Sequence, residues 1–452
     1  MKNYTVPNLD FNTLSNYIVN ANKIDKELFD KYQVRRGLRR PDGTGVLVGL
    51  THIGDVHSYI IDEGEIVPVP GRLTYRGISI EDLTKNFIAE DRMGFEESSF
   101  LLLFGHLPNK EELEYYNGVL GANRILTHTF IKSYILDNPS PSIMNSMARS
   151  VLALYTFDEN AESNDLDNVL RQSIELIACF PTLMVYAYQA YSHYYKHESL
   201  FIHAPQPEFS TAENILYMLR PDKSFTKLEA TLLDLSLIIH AEHGGGNNST
   251  FATHLITSAT TDTYSVIAAA LGSLKGVRHG GASLKVLQMF NDIKENVKDW
   301  TNEEELKEYL SKIATKQAFD GTGLIYGIGH AIYIISDPRA QVLKSYAEQL
   351  AVEKGLEAEF ELHAKIEKLA PMVLGELKGD FNKLCANVDF YSGFVYSMLN
   401  IPEELFIPLF AVSRIVGWAA HRLEELVNEG KIIRPAYKNI DGRHAYIPLE
   451  DR

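Results

Sequence analysis

Three short stretches hold groups that could do carbonyl chemistry: Gly276-Val-Arg-His279-Gly-Gly-Ala282, Gly327-Ile-Gly-His330-Ala-Ile-Tyr333 and Asn387-Val-Asp389-Phe-Tyr-Ser-Gly393. Each histidine adjoins glycines, whose missing side chains let another molecule approach the backbone. Asp389 lies among apolar residues, where ionisation is costly and a carboxyl rises toward the working range of a general base. Two neutral donors and one base suit the enolisation of a weak carbon acid beside a carbonyl. His279 precedes a helical spacing of Leu284, Leu287, Met289 and Phe290. A helix N-terminus disfavours imidazolium, and a neutral ring can still donate to a carbonyl oxygen.

Each signal also has a plain structural reading. His279 could be a core or capping histidine beside a tight turn. Asp337-Pro-Arg339 reads as a helix start with proline in the first turn, although Arg339 also offers a planar fork for a carboxylate. Asp389 could cap a helix over 391–399. His240-Ala-Glu-His243 would place both rings on one helical face and suggests a metal. It lacks the zinc-protease order and a third ligand pattern. The Gly244–Gly246 turn, with Asn247 and Asn248, points instead to hydrogen bonding beside a small anion. A metal-dependent hydrolase built on His240, Glu242 and His243 is the alternative from another class, and a non-catalytic helical scaffold is a further one. Arg414, inside the apolar run Phe410–His421, must be paired or face a ligand. Arg434, before Pro435, reads by itself as a surface cation.

The elements that must position these groups are mostly helical. Apolar spacing near 3.6 predicts helices over 95–104, 110–120, 142–157, 169–195, 228–240, 265–274 and 283–293. Only Val46 to Leu73 is β-branched and punctuated by Gly and Pro, so a few short strands are expected there. The fold class is mainly α with a small N-terminal β element. A chain of 452 residues exceeds one ordinary core, so two domains are expected. Its net charge of −16 speaks against nonspecific nucleic-acid binding, and an anionic ligand would need a local basic cluster. Only Cys179 and Cys385 are present, which fits a reducing compartment. With no secretory or transit signal at Met1–Asp10, a cytoplasmic location is expected. Ile174 to Tyr188 is apolar but interrupted by Pro181; it is expected to be a core helix rather than a membrane span.

The order His240-x-x-His243, His279-Gly-Gly, Gly-His330 followed by Asp-Pro-Arg339, Asn-Val-Asp389, Arg414 and Arg434-Pro resembles the citrate synthase family from about Leu38 to the end. Gly71-Arg-Leu-x-Tyr-Arg-Gly77 and the Gly94 to Pro108 segment are similar to that family as well. The resemblance implies a two-domain helical fold, with a large domain of residues 1–278 and 390–452 and a small domain, 279–389, inserted between. It implies a homodimer with shared active sites. Asp389 would take a methyl proton from acetyl-CoA, His279 would hydrogen-bond the thioester oxygen, and His330 would polarise the oxaloacetate carbonyl. His243, Asn247, Arg339 and Arg414 would hold oxaloacetate, with Arg434 reaching in from the partner. Arg278, Gly327 and Gly329 would meet CoA, which is a substrate; no cofactor, nucleic acid or membrane is implied. The chain departs from the family at Ala331 and Ile334, where basic residues are common, and at Gly244, where Glu often stands. CoA phosphates would then lean on Arg278, Lys275 or the Arg35–Arg40 run. A 2-methylcitrate synthase has the same fold and chemistry, and one methylene is worth only ~1–3 kcal/mol in a pocket.

Overall fold

The computed structural model describes residues 11–41, 44–63, 65–379, 384–441 and 443–451. Contacts divide the chain into a short unit ending at Leu50 and a large one, Thr51–Arg452. The short unit holds helices Phe11–Asn22 and Lys26–Lys31 and the exposed run Arg35–Arg40. Residues 1–10, read above as leaderless, lie outside the described residues.

The large unit is helical apart from one antiparallel sheet, β1 (Gly54–Asp62), β2 (Glu65–Tyr75) and β3 (Ile78–Ser79), in the order β1-β2-β3. The strands fall in and just beyond the stretch that composition marks as strand-forming. Strand β2 serves as a seat for later parts of the chain. The Gly71 amide donates to Ser336 Oγ at 3.2 Å, and a Cβ on Gly71 would lie 2.1 Å from the Ser336 carbonyl oxygen, so only glycine permits this approach. The buried Tyr75 phenol donates to Ile238 O at 2.7 Å and accepts from the Glu242 amide at 3.2 Å.

Seven helices carry the site and part of the core. They are α1 (Leu166–Tyr195), α2 (Lys227–His240), α3 (Asn248–Thr257), α4 (Ala282–Asn296), α5 (Pro338–Lys354), α6 (Val388–Met398) and α7 (Phe406–Val427). Helix α1 continues through Pro181, as the helix expected over 169–195 requires. Phe180, Leu183, Met184 and Val185 are fully buried there, and packing on all sides holds a helix that proline alone would weaken. By length and composition α1 could cross a membrane, but its apolar stretch is mostly buried within the protein. Helix α7 packs on α1, α2 and α3; α5 packs on α2, α6 and β2; α4 packs on α6.

Helices α2, α5 and α6 are tied together at the ends remote from the candidate residues. Glu229, in the first turn of α2, is bonded by Arg220 at 2.7 Å and by Lys354, the last residue of α5, at 2.6 Å. Arg220 also donates to the carbonyl of Leu399, just past α6, at 2.9 Å. The rise of α2 from Glu229 to His240 puts this hub about 16 Å from His240. Burial works to raise the Glu229 pKa, but Arg220 and Lys354 outweigh it and bring the carboxyl to about 2. A depressed carboxylate gives stability that is present above its unfolded pKa and lost as pH falls through the folded one. Glu229→Gln should therefore cost about 2–4 kcal/mol at neutral pH. It should also flatten the loss of stability of the wild type between pH about 5 and about 2. Denaturant melts of both proteins across that range check this; parallel pH curves would contradict it.

Candidate active site

Helix α5 starts where its sequence signal lies, with Asp337 as N-cap and Pro338 at the first position. Asp337 does more than cap. Its carboxylate accepts from Arg339 Nε at 3.0 Å, Arg339 Nη2 at 2.8 Å, the Arg339 amide at 3.0 Å and the Val388 amide at 3.0 Å. Burial opposes the charge on Arg339, and Asp337 more than offsets it, so the guanidinium pKa stands above its ordinary value.

A second clamp joins the His330 loop to α6. The amide of Gly329 donates to Cys385 O at 2.8 Å, the Asn387 amide to Gly327 O at 2.9 Å, and Asn387 Nδ2 to Gly329 O at 2.8 Å. Gly327 sits at φ 81°, and a Cβ there would be 3.0 Å from Phe390 Cα. Asn387 is the N-cap of α6, so Asp389 lies inside the first turn rather than at the cap. The half-buried Asp389 carboxyl is pushed up to about 6, chiefly by burial and also by Asp337, with Arg339 and Arg414 holding it down.

The histidines are set by different partners. His330 Nδ1 accepts from the amides of Ile332 and Tyr333 at 3.1 and 3.0 Å. A neutral His330 ring therefore carries its proton on Nε2, 3.5 Å from Arg339 Nη2. The ring stacks on Tyr333 at 4.6 Å and meets the edge of His243 at 5.4 Å. His243 is buried, its Nε2 has no partner, and burial followed by Arg339 and His330 holds its pKa well down. His279 Nε2 accepts from the Ser249 amide at 3.4 Å and lies 3.0 Å from Ser249 Oγ, so a neutral ring carries its proton on Nδ1; Ser249 Oγ also accepts from Trp418 Nε1 at 3.1 Å and lies 3.0 Å from Asn247 Oδ1. The His279 pKa falls to about 4, first from burial and then from Arg414. The lowered His279 pKa expected from a helix N-terminus thus has another cause here, since α4 begins only at Ala282.

Arg414 is fully buried on α7. Its Nε donates to His240 O at 2.6 Å and its guanidinium stacks on Phe410 at 4.6 Å, while Nη1 and Nη2 have no partner. Burial lowers its pKa to about 10 against the pull of Glu242. Phe410 also touches His240 at 4.7 Å and His279 at 6.5 Å between ring centres. The fold therefore connects His243, His330, Arg339 and Asp389 through one set of contacts, and Arg414 with His279 through Phe410.

Other expectations change. His240 and His243 do not share a helical face, because α2 ends at His240. His240 Nδ1 donates to Ser236 O at 2.7 Å, and burial brings its pKa to about 3. Glu242 turns to His421 and to the Gly244 amide. Among the described residues no three His, Cys, Asp or Glu side chains are grouped to hold a metal ion. Asn247 caps α3 and steadies Ser249. Arg278 and Lys275 are exposed next to His279, and Arg434 is exposed beyond α7. Sequence reasoning passed over Ser249, Trp418, Tyr333 and His421, and saw Asp337 only as a cap.

The family model for the citrate synthase C-terminal domain matches residues 42–436. The chain belongs to the citrate synthase family. It is 36% identical over 389 residues to the citrate synthase of Synechocystis sp., covering 84% of this chain and 88% of that protein. It is 36% identical over 386 residues to citrate synthase 2 of Bacillus subtilis, covering 84% and 93%. A 2-methylcitrate synthase of Shewanella oneidensis is 31% identical over 389 residues, covering 84% and 92%. Among solved structures, the citrate synthase of Thermoplasma acidophilum, in a ternary complex with carboxymethyl coenzyme A and oxaloacetate, superposes with a TM-score of 0.75 at 25% identity. That match covers 93% of this chain and 99% of the other. The mainly helical class with a small sheet, expected for citrate synthases, is the class observed.

Neutral rings in a citrate synthase site can be tested directly. In histidine-labelled NMR spectra, His240 and His279 should show no titration from pH about 5 to about 8, since their pKa values lie near 3 and 4. His240 should be the Nδ1–H tautomer and His330 the Nε2–H one. A midpoint near 6.5 for His279 would contradict the account.

Proposed function

We propose that this enzyme condenses acetyl-CoA with oxaloacetate and water to give citrate and CoA. The observation that carries the reading is a buried guanidinium with two unpartnered nitrogens, Arg414, in a site with Arg339, neutral imidazoles and a carboxyl raised to about 6. A dianion of two carboxylates and a carbonyl matches that donor set.

Asp389 takes a methyl proton from acetyl-CoA, and His279 donates to the thioester oxygen as the enolate forms. The enolate carbon attacks the oxaloacetate carbonyl, and His330, from Nε2–H, donates to the oxygen that becomes the alcohol. Hydrolysis of the citryl thioester consumes water and releases citrate and CoA. His243, Arg339 and Arg414 hold the carboxylates. Closure of 279–389 over the large domain shields the thioester. The CoA phosphates fall to Lys275 and Arg278 in this reading, since Ala331 and Ile334 replace the usual basic residues; the exposure of both cations beside His279 supports it. Two unpaired cysteines support a cytoplasmic location.

Thiol should be released from acetyl-CoA only when oxaloacetate is present, and faster than from propionyl-CoA; a reversed preference would favour 2-methylcitrate synthesis. Asp389→Asn should lower kcat by about 10³-fold while oxaloacetate binding survives. Because the base must be ionised, wild-type kcat/KM should fall as pH drops below about 6. Near-normal turnover by Asp389→Asn would remove it as the base.

The reading includes a homodimer in which Arg434 of the partner subunit completes the oxaloacetate site. Its exposure beyond α7 in one chain supports this. Mixing inactive Arg434→Ala subunits with inactive Asp389→Asn subunits should restore activity, because one site of the mixed dimer carries both defects and the other neither. No recovery after proven exchange would place Arg434 outside the partner's site.

A further inference from the structure

Three ionisable groups, Glu242, Arg414 and His421, are fully buried in one region. Glu242 and Arg414 carry opposite charges and feel each other: Arg414, after burial and His421, is among the causes setting the Glu242 pKa. Opposite charges in a low-dielectric interior gain strongly from contact. Yet Glu242 Oε2 and Arg414 Nη1 and Nη2 all lack hydrogen-bond partners. Something holds the two groups apart.

The structure assigns this work to His421. Its Nε2 lies 3.0 Å from Glu242 Oε1, which the Gly244 amide also engages. The carboxylate lies between two glycines: a Cβ on Gly417 would come within 2.5 Å of Oε2, and one on Gly54 within 2.8 Å of Cγ. Arg414 is anchored from its own side by His240 O and Phe410.

His421 is itself supported. Its Nδ1 lies 3.2 Å from His254 Nε2 and 3.7 Å from Glu424, and His254 Nδ1 lies 2.8 Å from Glu425. The chain Glu242–His421–His254–Glu425 is continuous, and it engages Glu242 without using Arg414.

We propose that His421 is a positioning residue for substrate affinity: it sequesters the Glu242 carboxylate so that both terminal nitrogens of Arg414 remain available to a substrate carboxylate. The inference rests on the reading of Arg414 as an oxaloacetate ligand. Without His421, Glu242 would swing onto Arg414 and act as an internal competitor. Apparent affinity then falls by the fraction of molecules in which Arg414 stays unpaired.

The test is isothermal titration of the full-length protein with oxaloacetate. His421→Leu, which removes the ring donors, should raise the oxaloacetate Kd by about tenfold or more. Adding Glu242→Gln to it should return the Kd to within about threefold of wild type, because a neutral amide competes poorly for guanidinium. Unchanged affinity in His421→Leu, or no recovery in the double variant, overturns the proposal. If His421→Leu does not fold, Glu242→Gln alone decides: equal or tighter binding is expected, and weaker binding overturns it. A crystal structure of His421→Leu or, failing that, of the double variant gives a readout independent of turnover. Carboxylate 242 on Arg414 in the single variant, or amide 242 away from a free Arg414 in the double, is expected; the opposite placement contradicts it. Absence of oxaloacetate binding by the wild type would instead sink the functional reading itself.

Discussion

The Asp337 carboxylate is the interaction on which the arrangement of this site depends. Fully buried, it accepts from two nitrogens of the Arg339 side chain and from the first amides of α5 and α6. A carboxylate in such a place costs several kcal/mol unless its lone pairs are used, and here they are. One anion thereby fixes a cation and the start of two helices. Arg339 and Asp389 hold their relative positions because both are referred to the same two oxygens. The far ends of the same helices are referred to another buried carboxylate, Glu229. The site is thus braced at both ends by ion pairs rather than by apolar packing alone.

Charge in the interior follows a consistent division. Arg339 is neutralised by Asp337, and Glu242 is engaged by His421, which His254 touches in turn. Arg414 has no such partner, and burial brings its pKa down to about 10. Leaving a guanidinium half-satisfied in the core costs stability, and proteins tolerate that cost at functional sites. Neutral His243 and His279 add donors without adding charge. This environment is complementary to an anion that becomes more negative at one oxygen as a bond forms. The same burial that suppresses the histidines raises Asp389, so one physical cause sets the donors and the base together.

Much of this was legible locally. The Asp-Pro start of α5, the strands near Gly54–Tyr75, and the apolar setting of Asp389 and Arg414 all appear where residue type and spacing place them. What escaped the sequence depended on distant partners. His240 and His243 read as a pair on one helix, but α2 stops at His240, whose ring turns back to Ser236. Ser249 and His421 carry no local signal. Their meaning comes from His279, thirty positions from Ser249, and from Glu242, 179 positions from His421. Hydrogen bonds of that separation follow from the fold and cannot be read from spacing.

The central claim is that buried, partly unsatisfied cationic groups await an anionic substrate, with Arg414 foremost. The most direct measurement is a thermal scan of wild type and Arg414→Ala, each with and without oxaloacetate. A ligand stabilises the state it binds, so oxaloacetate alone should raise the wild-type Tm, less so at high salt. The Arg414→Ala protein should fold and show no shift. An equal shift in both proteins would mean that Arg414 is a structural residue and that the dianion is held elsewhere.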